Sequence, residues 1–151
     1  FYYKNTFSHL TDVLDTLVWL KNETNVWIEL TTLLIPGEND SDNEIKNECD
    51  WILKNLGENV PLHFTAFHPD FKMLDKIPTP HLTLIRAKNI AEAIGIKYCY
   101  VGNVHDSRNQ STYCGKCKGI LIKRDWHQTK IIDLKKNVCQ NCGDSIPGVF
   151  L

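Results

Sequence analysis

The spacing of apolar residues along the chain predicts helices that alternate with strands. Apolar positions three and four residues apart indicate amphipathic helices, and runs rich in β-branched and aliphatic residues indicate buried strands. These patterns predict three helices, over residues 8–22, 41–57 and 79–95. Each is followed by a predicted strand, over residues 26–36, 61–67 and 96–103.

Residues at the predicted helix ends support these boundaries. Ser41 stands three residues before Glu44, which is the spacing of a capping box, and Gly57 follows the last apolar position of the second helix. Thr79 and Pro80 open the third helix, with proline at its first position. The apolar face of the third helix is predicted to comprise Leu82, Ile85, Ile90 and Ile94.

This alternation is typical of βα units, so the predicted fold class is α/β, with a parallel sheet covered by helices on at least one face. Three strands are too few to close a barrel. They form either a small open sheet with exposed edges or the second half of a larger sheet whose first strands precede Phe1. We favour the second interpretation, because exposed sheet edges invite pairing with other chains.

Composition and charge narrow the class of protein. The chain has 151 residues, 42% of them hydrophobic, and a formal net charge of −1, as expected of an ordinary soluble globular protein. There is no basic excess, so nucleic-acid binding is disfavoured. There is also no signal-peptide pattern and no unbroken apolar run of about 20 residues. We therefore expect a cytoplasmic protein that has no membrane partner.

Six cysteines divide into two groups. Two of them, Cys49 and Cys99, lie in apolar periodic segments and are predicted to be core thiols. The other four form two C-x2-C pairs separated by 21 residues, and they are Cys114, Cys117, Cys139 and Cys142. Two such turns complete a tetrahedral shell of sulfur, which favours a structural zinc ion without an open coordination position.

Two alternatives to zinc remain, iron in an all-sulfur site and a pair of disulfides. The segments GILIKR and KIIDL between the cysteine pairs have the β character of a zinc-ribbon hairpin. His127 lies between them as a spare ligand candidate, although a solvent-facing histidine is the more common case there.

Polar residues follow two of the predicted strands, where α/β proteins place their ligands. His68 ends the second strand, and either contacts a ligand or bonds a loop carbonyl. Asp70 and Lys72 either line a substrate opening or pair in solvent, and pairing is the more common case. Three further substrate-side candidates follow the third strand, namely Asn103, His105 and Asp106. His9, His63 and His81 are expected at surface or strand positions without a partner.

Four separated motifs resemble one protein family. They read VWIELTTLLIPGENDS, HFTAFHPDFKMLDKIPTP, KYCYVGNVHDSRNQSTYC and CGDSIPGVF. Together they are similar to the C-terminal half of the radical SAM proteins of the AmmeMemoRadiSam system, relatives of pyruvate formate-lyase activating enzymes. The resemblance extends from about Phe1 to Leu151. The first knuckle reads KCKG where the family usually has a CxxCG knuckle, and the C-x3-C-x2-C cluster motif is absent from these residues.

The resemblance implies that residues 1–108 are the later part of a partial (βα)6 barrel and that residues 109–151 form a four-cysteine, zinc-ribbon-like module. It implies two cofactors, S-adenosylmethionine and a [4Fe–4S] cluster whose ligands lie upstream of Phe1. The candidates for contacting S-adenosylmethionine are Thr31, Leu33, Thr65 and His68. No catalytic residue is expected in this chain.

The implied function is that of a radical SAM enzyme, in which reductive cleavage of S-adenosylmethionine starts hydrogen abstraction from an unknown substrate. The chain alone would be inactive because it lacks the cluster motif. Family association suggests Memo-like and AMMECR-like proteins as partners. The alternative is a stand-alone zinc-ribbon α/β module that binds a protein or a nucleic acid.

Overall fold

The computed structural model describes residues 2–150 and forms helices and strands in the predicted order. The helices are α1 (Tyr2–Thr6), α2 (Leu10–Glu23), α3 (Asp42–Asn55), α4 (His81–Ile94) and α5 (Ser107–Gln110). The first three strands are β1 (Leu30–Leu34), β2 (Leu62–Ala66) and β3 (Cys99–Gly102). Five further strands follow, β4 (Thr112–Tyr113), β5 (Ile120–Asp125), β6 (Gln128–Ile131), β7 (Leu134–Lys135) and β8 (Val138–Cys139).

Strands β1, β2 and β3 form a parallel sheet in that order, as predicted. Its register places Leu30 beside Leu62, and Leu62 beside Cys99. Because side chains alternate along a strand, every second residue faces the same side. One side is packed against α3 and α4, and its buried strand residues are Leu34, Leu62, Phe64, Cys99 and Val101. The mixed α/β class is therefore confirmed.

The three parallel strands do not close into a barrel within residues 2–150, and β1 and β3 lie at the two edges of the sheet. Strand β1 is shorter than the predicted 26–36 segment. The chain leaves the sheet at Ile35, whose N–H donates to Asn39 Oδ1 at 2.7 Å, while the side chain of Asn39 donates to the carbonyl of Leu33. A local Asn side chain therefore ends the strand by replacing its sheet partners.

Helix α3 begins where the capping-box spacing predicts. Ser41 Oγ accepts a hydrogen bond from the Glu44 N–H at 3.3 Å and donates to Glu44 Oε2 at 2.6 Å. The predicted apolar face is buried through Ile45, Cys49 and Ile52. Glu48 lies on this side as well and accepts from Thr32 Oγ1, and burial raises the pKa of its carboxyl.

The predicted face of helix α4 is wrong in detail. Leu82 is 78% exposed, whereas Leu84, Ala87 and Ala91 are buried. The small alanine side chains let the helix backbone approach the sheet closely, so the larger isoleucines lie at the flanks of the contact rather than at its centre. Pro80 is also not the first helical residue, because its extended backbone makes it the N-cap and the helix begins at His81.

Helix α2 forms as predicted but buries little of its apolar face. None of its residues is buried, and Trp19 is 57% exposed. Leu17 is its contact with the main core. None of the helices in residues 2–150 combines the length and apolar character needed to cross a membrane.

The C-terminal residues form a second, smaller hydrophobic cluster. Strands β4, β5 and β6 make an antiparallel sheet, and β7 pairs with β8. A ribbon hairpin forms from β5 and β6, joined through Trp126 and His127. Its second strand differs from the predicted KIIDL segment, because β6 ends at Ile131 and Leu134 belongs to β7. The cluster is built from Cys114, Leu121, Cys139 and Ile146. A domain boundary at residue 108 stays a prediction.

Thr79 joins the carboxyl ends of two parallel strands and yields a test of the fold. Its buried hydroxyl donates to the Leu34 carbonyl at 2.5 Å and accepts from the Phe67 N–H at 2.8 Å. Thr79→Val keeps the shape but leaves both backbone groups unpaired, so we expect the free energy of unfolding to fall by about 2–4 kcal/mol. Urea denaturation followed by circular dichroism measures this change.

The matched control is Thr83→Val, since Thr83 is half-buried on α4 and its hydroxyl has no such strand partners. It should change the free energy of unfolding by less than about 0.5 kcal/mol. Equal losses in the two variants would show that the hydroxyl bonds of Thr79 do not hold the strand ends together.

Candidate metal centre and strand-end residues

The four predicted metal ligands meet at one point. The Sγ atoms of Cys114, Cys117, Cys139 and Cys142 all lie within 4.8 Å of one another. The Cys114 and Cys142 sulfurs are 3.6 Å apart, and those of Cys117 and Cys139 are 3.8 Å apart. A tetrahedron with zinc–sulfur bonds of about 2.3 Å has edges of about 3.8 Å. The group can therefore hold one metal ion, and its dimensions are compatible with structural zinc.

The two C-x2-C turns have the same backbone geometry. The N–H of Cys114 donates to the Gly119 carbonyl and that of Cys139 to the Asp144 carbonyl, each at 2.9 Å. The residue after the second cysteine of each pair closes the turn with a hydrogen bond. The Lys118 N–H donates to the Cys114 carbonyl, and the Gly143 N–H donates to the Cys139 carbonyl. Both ligand pairs are thus positioned by local backbone bonds.

The two turns differ in the residue at their strained position. Lys118 has φ +60° and Gly143 has φ +75°, so both occupy the left-handed region. Glycine adopts this conformation without a steric penalty, whereas lysine does not. The KCKG departure in the first knuckle therefore keeps the thiolates and places a non-glycine residue where glycine is favoured.

Polar contacts favour the charged form of one ligand. The backbone N–H of Gly119 and the Asn141 amide, 3.3 Å from the sulfur, lower the pKa of the Cys117 thiol to about 6. A thiolate is the form that binds a metal. His127 lies in the exposed turn between β5 and β6, edge-on to Trp126, and is not among the four clustered ligands.

The remaining two cysteines are core thiols, as predicted. Cys49 and Cys99 are buried in the main core, and burial raises the pKa of each thiol to about 12. Both are therefore uncharged at neutral pH and serve as small apolar side chains.

Three of the predicted cofactor-contact residues share the sheet face opposite α3 and α4. Thr31, Leu33 and Thr65 alternate with the core-facing residues of β1 and β2, and Leu33 lies directly beside Thr65. Leu33 is 42% exposed, so this face is open within residues 2–150. The structure therefore brings these three residues together on one face of the sheet.

The side chains that follow β2 do not make the contacts that the sequence favoured. His68 is exposed and makes no hydrogen bond to another residue in 2–150, so the loop-carbonyl bond considered for it is not formed. Asp70 Oδ1 accepts from the Phe71 N–H at 2.7 Å, and the Lys72 ammonium lies 5.3 Å from the centre of the Phe71 ring. Asp70 and Lys72 are therefore not paired, because each has a nearer local partner.

The three candidates after β3 all have structural contacts. Asn103 donates to the Ala66 carbonyl at 3.1 Å and so ties the end of β3 to β2. His105 stacks on Trp126, with ring centres 4.4 Å apart. Asp106 caps α5 by accepting from the Asn109 N–H at 3.0 Å. None of these contacts requires a substrate.

The expectation that the remaining histidines lack partners is wrong. His63 bonds Glu29 at 3.0 Å, His81 bonds Asp106 at 2.8 Å, and His9 stacks on Tyr3. Burial would raise the pKa of Asp106, but hydrogen bonds from Asn109 and His81 outweigh it and the pKa lies below its usual value. These partners are 25 or more residues away for His63 and His81, so no local pattern could predict them.

Comparison with known proteins finds an archaeal relative and no matching family. No protein-family model matches the chain. The chain is 38% identical over 148 residues to the uncharacterized protein MJ0808 of Methanocaldococcus jannaschii. The alignment covers 97% of this chain but 44% of that protein, so the chain spans less than half the length of its relative. The family resemblance stays a prediction.

The cysteine cluster predicts metal content and metal-dependent folding. We expect about one zinc ion per chain, because four thiolates at tetrahedral spacing leave no open position. Cys114→Ser should remove most of the zinc and unfold the C-terminal module, since that module has a small apolar core of its own. Elemental analysis and the amide NMR spectrum measure both effects.

Cys49→Ser is the control, because it changes a buried thiol outside the cluster. It should lower the stability of the main core while leaving zinc bound. Iron in place of zinc would contradict the zinc assignment, and full metal content in Cys114→Ser would contradict the ligand set.

The backbone at Lys118 predicts a stabilising substitution. Lys118→Gly should raise the free energy of unfolding of the metal-loaded chain by about 0.5–1 kcal/mol, since glycine relieves the left-handed strain. Gly143→Lys, the reverse change in the other knuckle, should lower it by a similar amount. Lys116→Gly removes the same charge from a nearby position and should bring no gain. A gain shared by Lys116→Gly would point to charge rather than backbone strain.

Proposed function

We propose that residues 1–108 are the later part of a partial (βα)6 barrel in a radical SAM enzyme related to pyruvate formate-lyase activating enzymes. The proposal rests on the sheet of β1, β2 and β3, which is parallel and sequential and has both connecting helices on one face. A doubly wound fold covers both faces and changes strand order at a switch point. Sequential strands with helices on one side are the arrangement of a barrel wall.

The open face of the sheet has the composition expected of a barrel interior that receives a polar ligand. It carries Thr31, Thr65, His63 and Tyr100 instead of a continuous apolar surface. Gly102 belongs to the same face, where a Cβ would lie 2.8 Å from Thr65 Cγ2, so only glycine leaves room for Thr65 in this position. Thr65 is thereby placed beside Leu33 with little freedom to move.

In this proposal the chain binds and orients S-adenosylmethionine rather than reducing it. Leu33 supplies an apolar contact near the carboxyl end of β1. The Thr65 hydroxyl, which donates to the Thr32 carbonyl at 3.4 Å, can accept a hydrogen bond near the carboxyl end of β2, and Thr31 adds a hydroxyl nearer the amino end of β1. His68, which has no protein partner in residues 2–150, is available to the same ligand. A [4Fe–4S] cluster, whose ligands this proposal places upstream of Phe1, would supply the electron that cleaves the cofactor.

The length of the relative is consistent with this division. MJ0808 is more than twice as long as the aligned segment, since the alignment covers 44% of it. A barrel of six βα units needs more strands than β1, β2 and β3 provide. The four-cysteine module has a separate role, because four thiolates leave zinc no site for substrate.

The proposal predicts the behaviour of the longer gene product. Its coding sequence should contain C-x3-C-x2-C upstream of Phe1. Anaerobically reconstituted protein should bind about four irons in addition to zinc. With dithionite and S-adenosylmethionine it should release 5′-deoxyadenosine, measured by chromatography. An upstream region without the motif, or protein with zinc alone and no S-adenosylmethionine binding, would overturn the proposal.

A substitution on the open face tests the residues themselves. In the reconstituted protein, Thr65→Val keeps the shape and removes the hydroxyl, so affinity for S-adenosylmethionine should fall about 3- to 10-fold. Thr83→Val on α4 should leave the affinity unchanged. Unchanged affinity in Thr65→Val would remove Thr65 from the site without affecting the cluster prediction.

A second candidate function follows from the charge of the C-terminal module. Residues 109–151 contain seven basic and three acidic side chains, although the whole chain has a net charge of −1. A zinc ion with four thiolates offsets two of the positive charges. If the longer product holds zinc and no iron, a module that binds a nucleic acid or an acidic protein surface becomes the leading hypothesis, and titration with labelled RNA tests it.

A further inference from the structure

A cavity of about 460 Å³ lies between the open face of the parallel sheet and the C-terminal module. Its sheet side includes His63 and Tyr100, and its module side includes Arg124 and Trp126. Small-molecule sites commonly have volumes of roughly 300–1,000 Å³. The cavity is therefore large enough for a small organic ligand, and it is separate from the cysteine cluster.

Aromatic side chains form much of the cavity wall. Trp27, Tyr98, Tyr100, Trp126 and Phe150 all line it. Trp126 is held by its stacking on His105, and Tyr100 by its hydroxyl, which is 3.0 Å from Thr112 Oγ1. Flat, fixed aromatic walls favour a planar apolar ligand body, since ring contacts depend on orientation.

Arg124 provides a positive charge that lacks an acidic partner. Its side-chain hydrogen bonds in residues 2–150 all leave from Nη1, which donates to Thr112 Oγ1 at 2.5 Å and to the Gln110 carbonyl at 3.4 Å. No carboxylate lies within salt-bridge distance of it in that part of the chain. The side chain is half-buried, and its guanidinium carbon lies 5.5 Å from the Tyr100 ring centre. The Nε and Nη2 donors are thus available to a ligand.

Tyr98 provides a second available donor. It is 8% exposed, yet its hydroxyl makes no hydrogen bond to a residue in 2–150. Burial raises the pKa of Tyr98 to about 12, so the hydroxyl stays protonated at neutral pH and can donate. No buried side-chain nitrogen or oxygen atom in residues 2–150 lacks a partner, so the Tyr98 hydroxyl is an accessible atom and is free to donate.

The carboxylate among the residues that line the cavity is already engaged. Glu29 accepts from Trp27 Nε1 at 2.9 Å through one oxygen and bonds His63 Nε2 at 3.0 Å through the other. Both oxygens of Glu29 are therefore occupied, while the side chains of Arg124 and Tyr98 keep unused donors. The complement of the cavity is a ligand that accepts hydrogen bonds and carries negative charge.

We propose that this cavity binds a small aromatic anion, with its ring among the tryptophan and tyrosine side chains and its charged oxygens on Arg124 and Tyr98. The shared chemistry of the ligand is a planar ring bearing a carboxylate or a phosphate. This inference does not depend on the radical SAM proposal, because it involves the other end of the open face and the C-terminal module.

Tryptophan NMR signals in the zinc-loaded chain test the proposal. Trp27 and Trp126 line the cavity, whereas Trp19 is exposed on α2 and Trp51 packs on the main core. Titration with indole-3-acetate, and separately with phenyl phosphate, should shift the indole N–H signals of Trp27 and Trp126 and leave those of Trp19 and Trp51 unchanged. The probe that binds more tightly identifies whether the cavity favours a carboxylate or a phosphate.

Matched probes and variants separate charge from apolar contact. Indole-3-acetamide, the neutral counterpart, should bind the chain at least about 10-fold more weakly than indole-3-acetate does. Indole-3-acetate should bind the Arg124→Gln variant at least about 10-fold more weakly than it binds the unchanged chain. Tyr98→Phe should weaken binding about 3- to 10-fold. Lys123→Gln removes a charge from the neighbouring, exposed residue of β5 and should have no effect. Zinc content and circular dichroism check that each variant is folded.

Three results would overturn the proposal. They are equal binding of the acid and its amide, undiminished binding to folded Arg124→Gln, and absence of shifts at Trp27 and Trp126 with either anion at millimolar concentration. Equal shifts at all four tryptophans would indicate binding without a defined site and would count against it as well.

Discussion

One-sided burial of the parallel sheet is the constraint on which the rest of this structure depends. Phe64 and its neighbours are covered by α3 and α4, and this apolar contact fixes which residues of each strand face the core. Because side chains alternate, Thr31, Thr65 and Tyr100 are directed to the other face as a direct consequence. That face carries polar and aromatic side chains, and the strand-end residues and the aromatic cavity both lie along it.

The C-terminal module is stabilised differently. Its apolar cluster is small and consists partly of the cysteines themselves, with Leu121 and Ile146 as the other buried members. So few buried side chains cannot offset the entropy of ordering this segment. The four cysteines could hold a metal ion, and we expect its binding to supply the missing stabilisation. The local backbone bonds of the two knuckles prepare the sulfur atoms for one ion, at the cost of left-handed strain at Lys118.

Contacts between the sheet and the module connect these two parts. Arg124 of β5 bonds Thr112 of β4, Thr112 bonds the Tyr100 hydroxyl, and Tyr100 lies against His63 on the sheet. This chain of contacts places a basic side chain from the module over the open face of the sheet. The ligand cavity exists because the two parts meet along their polar and aromatic surfaces rather than through a continuous apolar core.

The sequence by itself determined the order of α2, α3, α4 and the three parallel strands, the capping of α3, and the four cysteines that could hold a metal ion. Each depends on residues close together in the chain, so local spacing is enough to predict it. Tertiary structure alone decided the buried face of α4, the partners of His63 and His81, and the meeting of Arg124 with Tyr98 and Tyr100 at one cavity. Those depend on the distance of approach between elements far apart in sequence, which no local pattern encodes.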